Sequence, residues 1–200
     1  IINTKDVLAY TNKQIQEEQT SNIESFTCED IPHPLVIYGA GAGGLIVKET
    51  VEQDGKFQVV CFLDDDRALK KVGNVPVFHS SMITKLYDKK VKHCFCAVGN
   101  GVVRLKISQL MLDAGMELIN VVHPHSYISS SANIGVGNHI KSGAIIENNC
   151  DIGNNCIIDN GVVIAHDNII KDGSHLAPGV SLGSNIEVGK CSVLGVGVSV

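Results

Sequence analysis

Gly39, Gly41 and Gly44 stand in the order Gly-x-Gly-x-x-Gly directly after an apolar run, and Asp64 follows about twenty residues later. Glycines let backbone close on a phosphate, and a helix opening there turns its free amides and positive dipole end toward the charge. An acid at the end of the next strand suits a ribose hydroxyl. Far downstream, one stretch of an otherwise aliphatic repeat differs in kind: it carries His166-Asp167, with His175 nine residues on. An imidazole titrates near neutral pH and suits taking a proton from an attacking nucleophile. By spacing alone, His166 reads more readily as a solvated corner residue, and His175 can be a packing residue; the nine-residue step between them and the attached nucleotide domain turn the reading of His166 toward chemistry. His139, directly before an inward isoleucine, is expected to face solvent.

The elements that position the glycine loop alternate between strand and helix. Apolar strands are expected at 35–38, 58–63, 75–78, 93–98 and 117–122, with helices from the glycine loop to about 53, at 81–88 and at 102–114. This alternation predicts βαβ units and a parallel sheet of about four strands with helices on both faces. Ligands of such sheets bind beyond the carboxyl ends of the strands. Three of those ends carry Gly39–Gly44, Asp64-Asp65-Asp66 and Gly99-Asn100, which together describe one pocket. NAD is the default occupant of the glycine fingerprint. The short sheet lacks the second half that a dinucleotide needs, and a nucleotide-diphosphate sugar suits the pocket better.

From Ile128 to Val200 every sixth residue is Ile, Leu or Val. A helix with 3.6 residues per turn walks such positions around its axis. Short strands joined by regular corners keep them in line, three hexads to a triangular coil, and stacked coils bury them as one column. The chain therefore divides into an N-terminal extension (1–33), an α/β nucleotide-binding domain (34–122) and a parallel β-helix of hexapeptide repeats (123–200). A helix is conceivable over 6–19, but 1–33 reads as a loosely attached extension.

Composition narrows the partners. A net charge of −5 provides no basic footprint, which argues against nucleic acid. The apolar runs are far too short to span a bilayer, no signal segment opens the chain, and a cytoplasmic protein without membrane insertion is expected. The seven cysteines lack CxxC spacing and read as small buried residues in a reducing compartment; no metal site is expected. The chain opens on Ile1 and stops at Val200 as another hexad begins. Solenoids end in polar caps, so the native protein is expected to be longer.

Several motifs in combination resemble one known family: Ile37-Tyr-Gly-Ala-Gly, Phe62-Leu-Asp-Asp-Asp, Gly73-Asn-Val-Pro-Val77, Ala97-Val-Gly-Asn100 with Arg104, His123-Pro124, and Val163-Ile-Ala-His-Asp167. The chain is similar over 35–200 to bacterial sugar O- and N-acetyltransferases with a Rossmann-like N-terminal domain and a left-handed β-helix. Their relatives include the sialic acid O-acetyltransferase, UDP-bacillosamine and GDP-perosamine N-acetyltransferase types. The resemblance implies a left-handed coil and a homotrimer with active sites at subunit interfaces. It implies acetyl-CoA as co-substrate and no metal. The implied transfer is of acetyl to an amine, at C4, of a nucleotide-linked amino sugar in surface glycan biosynthesis. O-acetylation of sialic acid is the alternative, and a non-catalytic trimeric scaffold is the alternative from another class.

The same resemblance assigns residues. His166 is the general base and Asp167 its acidic neighbour; His175, Gly183, Ser184 and Gly195 fall on the cofactor side. Gly183 and Ser184 are the expected amide donors to the thioester carbonyl. Gly39, Gly41, Asp64, Asp65 and Asn100 fall on the nucleotide side. Two departures stand out: Gly43 occupies a loop position where many relatives carry His, and Asp159 a position where relatives carry Asn. An extended strand would point Asp167 away from His166, which leaves Asp159 or a backbone carbonyl as an alternative orienter of the base.

Overall fold

The computed structural model describes residues 22–28, 30–66 and 68–200. The helix considered over 6–19 lies outside them. The chain opens its sheet with β1 (Pro34–Tyr38), continues through helix α1 (Ala42–Asp54), β2 (Gln58–Asp64), β3 (Lys71–Val72) and β4 (Val75–His79), and turns through a short 3-10 segment into α2 (Ile83–Asp88). It continues with β5 (His93–Cys96), α3 (Gly101–Asp113) and β6 (Glu117–Leu118). The sheet order is β3-β4-β2-β1-β5-β6, parallel except at the β3 edge. Five parallel strands thus stand where about four were expected. The central runs Leu35–Ile37 and Cys61–Leu63 are wholly buried because helices cover both faces.

Two sequence expectations need correction here. The tail of the supposed loose extension is packed: Ile23 and Cys28 are buried in the core beneath α2, and Phe26 meets Phe78 edge-on at 5.4 Å. The strand expected over 117–122 is two elements. Glu117–Leu118 closes the sheet, whereas β7 (Val121–Val122) pairs with the coil. Asn120, between them, donates to the Gly135 carbonyl and accepts from the Asn138 amide, which turns the chain into the solenoid.

Strands β8 (Tyr127–Ile128) to β19 (Val193–Leu194) follow at six-residue steps and form three parallel sheets, each pairing residues eighteen apart. This is the left-handed parallel β-helix. Its inward column is fully buried in the middle coils, at Ile140, Ile146, Ile158, Ile164 and Leu176. Corners obey a second period: every sixth residue from Gly137 to Gly197 has a positive φ. Glycine or asparagine fills most of these positions, because a Cβ in the left-handed region normally costs about 1 kcal/mol or more. Asp167 (φ 61°) and Cys191 (φ 55°) are the exceptions.

The two domains meet where α3 lies on a corner of the coil. Arg104, 1% exposed, donates to the Asn155 and Gly173 carbonyls of two stacked corners and to the Val98 and Gly99 carbonyls at the end of β5. Ser108 donates to Asn155 Oδ1 beside it. A Cβ on Gly101 would stand 2.2 Å from the Gly173 oxygen, so only glycine permits this approach. No helix among the described residues is long and apolar enough to cross a membrane.

Candidate functional site

The glycine loop is built by its neighbours. Gly39 turns with φ 102°, and a Cβ on Gly44 would meet the Gly39 oxygen at 2.0 Å. Both positions therefore require glycine, whereas a Cβ on Gly41 would meet nothing. Asp64 accepts from the Ala40 amide at 2.8 Å through one oxygen and from the Asp66 amide at 2.9 Å through the other. It fastens the loop to the end of β2. Asp65 accepts from the Tyr38 hydroxyl at 2.9 Å and from Ser80. Burial, then the Asp65 hydrogen bond and charge, push the Tyr38 phenol up to about 12, so it remains a donor. Asn100 caps α3 by accepting from the Val103 amide.

Between this loop and the coil lies a cavity of about 260 Å³. The domain side contributes Gly43, Ile46, Val47, Phe95 and the Cys96–Gly99 turn; the coil contributes His139, Lys141, Ile157 and His175. Burial pushes the Cys96 thiol up to about 11, so it enters as a neutral group. His139 is 4% exposed, not solvent-facing as its hexad position suggests. It sits on β10 (His139–Ile140), the coil face that the N-terminal domain covers. Its Nε2 lies 3.4 Å from Thr50 Oγ1 and its ring meets Phe95 edge-on. Burial first, and Lys141 second, lower its pKa to about 3 and keep it neutral.

At the cavity edge, Asp159 follows β13 (Ile157–Ile158) and His175 opens β16 (His175–Leu176). Asp159 Oδ1 takes Lys141 Nζ at 2.9 Å, and Oδ2 faces His175 Nε2 at 3.4 Å. Burial alone would raise this carboxyl. Bonds from His175, Lys141 and the Asn160 amide outweigh burial and hold it below the ordinary carboxylate range. Asp159 therefore does not orient His166, as one expectation had it. Lys141 was missed from sequence, although it stands one coil (eighteen residues) before Asp159, and that step would have found it.

His166 occupies another corner, after β14 (Val163–Ile164). Its Nδ1 lies 2.6 Å from Asp167 Oδ2 and its Nε2 2.9 Å from Ser184 Oγ. The expected divergence of adjacent side chains fails because Asp167 is the left-handed corner residue and turns back toward the ring. The His166 hydrogen bond, followed by one from Asn149 at 3.2 Å, lowers the Asp167 carboxyl. Gly183 donates its amide to the Val200 carbonyl, so the expected pair of amide donors narrows to Ser184.

The candidates thus form two groups on one chain. His166, Asp167, Gly183 and Ser184 share one corner. Asp159 and Gly195, two coils apart, belong to another, next to His175 and the cavity under the glycine loop. Imidazole held by a carboxylate on one nitrogen leaves the other nitrogen able to accept a proton. Among the described residues no cluster of three or more His, Cys, Asp or Glu is arranged to hold a metal ion.

Residues 34–111 match the model of the PglD N-terminal domain family. A GDP-perosamine N-acetyltransferase of Escherichia coli O157:H7 is 31% identical over 106 residues, 50% of this chain and 48% of that protein. The chain thus spans about half the length of the curated relative it matches. A variant of the Caulobacter crescentus perosamine N-acetyltransferase, solved in complex with CoA and GDP-perosamine, superposes with a TM-score of 0.80 at 29% identity. That alignment covers 83% of this chain and 79% of the other. The PglB acetyltransferase domain from Neisseria gonorrhoeae FA1090, in complex with acetyl coenzyme A, gives 0.78 at 27% identity, over 84% and 81% of the chains.

Proposed function

We infer that this chain, whose residues 34–111 match the PglD N-terminal domain family, is a bacterial sugar acetyltransferase that moves acetyl from acetyl-CoA to the amine of a nucleotide-linked amino sugar. The observation that carries the reading is the bracketing of His166 by Asp167 on Nδ1 and Ser184 on Nε2. It stands on a coil joined to a domain with a glycine loop. The amine at C4 is the proposed acceptor.

The carboxylate of Asp167 holds the proton on Nδ1 and leaves the Nε2 lone pair facing Ser184. An acceptor amine displaces the Ser184 hydroxyl and attacks the thioester carbon. His166 Nε2 takes the amine proton as the C–N bond forms. The C–S bond then breaks, and the thiolate of CoA leaves and takes the proton back from His166 Nε2. The Ser184 amide is the donor proposed for the carbonyl oxygen as it becomes an oxyanion. Gly195 and His175 are proposed on the cofactor side; Gly39, Gly41, Asp64, Asp65 and Asn100 build the nucleotide side. Asp64 and Asp65 act there chiefly by shaping the loop, since their oxygens already accept from Ala40, Asp66, Tyr38 and Ser80.

Separation of the His166 corner from the His175 cavity supports a homotrimer in which one copy's His166 completes the next copy's acceptor pocket. Thiol release from acetyl-CoA is measured with GDP- and UDP-linked 4-amino sugars, beside free and CMP-linked sialic acid. Turnover with the amino sugars, lost in His166→Ala, is expected. Turnover with sialic acid alone would favour O-transfer, and no turnover with any acceptor would favour a scaffold.

A further inference from the structure

The cavity beneath the glycine loop draws its side-chain polarity almost wholly from the coil. Gly43 supplies no side chain, and a Cβ there would stand 2.9 Å from the Ala97 oxygen. Ile46, Val47, Phe95 and Ala97 are apolar. On the coil side His139 is neutral and turned toward Thr50. Lys141 and His175 therefore remain to face a bound molecule, with Asp159 between them.

We propose that Lys141 is a positioning residue of the acceptor pocket: by pairing with Asp159 it sets where that carboxylate stands and so how His175 presents its ring. The proposal rests on the transferase reading above. At 2.9 Å the Lys141–Asp159 contact is a charge-assisted hydrogen bond, whereas 3.4 Å from Asp159 to His175 is long for one. The lysine thus fixes the carboxylate, and the carboxylate orients the imidazole, keeping the proton on Nε2 and the lone pair on Nδ1. Side-chain exposures of 16% for Lys141 and 9% for Asp159 mean that water screens the pair little. Other titratable groups facing Lys141 are His139 in the cavity, and Glu49 and His123 across a smaller cleft on its far side. Asp159 is the acid in contact.

Lys141→Met, Lys141→Arg and the double variant Lys141→Met/Asp159→Asn test this in the full chain. Steady-state kinetics are read beside ring-nitrogen spectra of ¹⁵N-histidine-labelled protein. Lys141→Met is expected to lower kcat/KM about tenfold or more for the nucleotide-linked amino sugar and for acetyl-CoA alike, because His175 stands on the cofactor side of the same pocket. The His175 nitrogens should leave the Nε2–H pattern. Lys141→Arg should recover the acceptor kinetics to within about threefold, since the cation returns to the same carboxylate. The double variant, with no orphaned charge, should recover the melting temperature but not the acceptor kinetics. Recovery of both, or an unchanged His175 spectrum in Lys141→Met, would overturn the proposal. If the unsubstituted chain transfers acetyl to no acceptor, the functional reading fails instead, and the spectra still decide whether Lys141 holds His175.

Discussion

Two His–Asp pairs stand on the same coil and differ in nearly everything except composition. His166 and Asp167 are neighbours in sequence, 50% and 43% exposed, and joined at 2.6 Å across a left-handed corner. His175 and Asp159 are separated by nearly a full coil, 26% and 9% exposed, with Lys141 holding the carboxylate. The exposed pair has one ring nitrogen on a serine hydroxyl. The enclosed pair has its carboxylate held by Lys141, and its imidazole lines the cavity. The same two residue types thus suit proton transfer in one place and positioning in another, and the difference lies in what each pair is buried against.

Breaking the exposed pair should have the largest effect on activity. His166→Ala is expected to lower kcat by about 10²–10⁴-fold, with a melting temperature within about 2 °C of the parent because the corner is exposed. Steady-state thiol release and calorimetry check the two halves of this statement. A large fall in melting temperature would assign His166 to structure.

The enclosed pair should behave in the opposite sense. Asp159→Asn leaves Lys141 beside a neutral amide in a covered pocket. A loss of about 2 kcal/mol is expected, at the low end for an orphaned charge because Lys141 still reaches solvent. Urea unfolding measures it, and an unchanged midpoint would mean that the pair adds nothing to stability.

Asp167→Asn sharpens the contrast with a smaller effect. Asparagine tolerates the positive φ and preserves the corner, while the charge on Nδ1 is lost. About a tenfold fall in kcat is expected, modest because water already screens an exposed pair. Asp167→Ala, which also strains the corner, should lower the melting temperature as well.

At neutral pH the smallest effect concerns His139, whose contribution shows only as the pH falls. Its folded pKa of about 3 lies below the ordinary 6.5. Between those values the unfolded chain binds a proton that the folded ring refuses, so this contribution is complete above about 6.5 and declines as pH falls toward 3. The slope is at most about 1.4 kcal/mol per pH unit. His139→Gln should flatten the dependence of urea midpoints on pH between 7 and 4. An equally steep variant would place the titrating group elsewhere.

The solenoid and the glycine loop were legible in the chain because both depend on short-range rules. A period of six needs only inward Ile, Leu or Val and a corner that turns. Gly39 and Gly44 are demanded by a backbone turn and a close approach within six residues. The site was legible as a list but not as an arrangement. His139 and His175 occupy equivalent places on the same face, yet one is sealed by Thr50 and Phe95 and the other opens onto the cavity. Asp167 looked misdirected because strand geometry was assumed at a residue that is a corner. Ile23 and Cys28 looked peripheral because their partners, in β2, β4 and α2, come much later in the chain.

What the sequence by itself determined is the pair of architectures and the residue types available for chemistry: aliphatic periodicity and glycine spacing are local, and no distant contact is needed to satisfy them. What only the tertiary structure decided is which carboxylate serves which histidine. Lys141 and Asp159 meet by stacking across eighteen residues, while the N-terminal domain, bolted across by Arg104, covers one face and leaves the His166 corner open. Burial and charge pairing follow from that covering, and they are properties of position in space rather than of order along the chain.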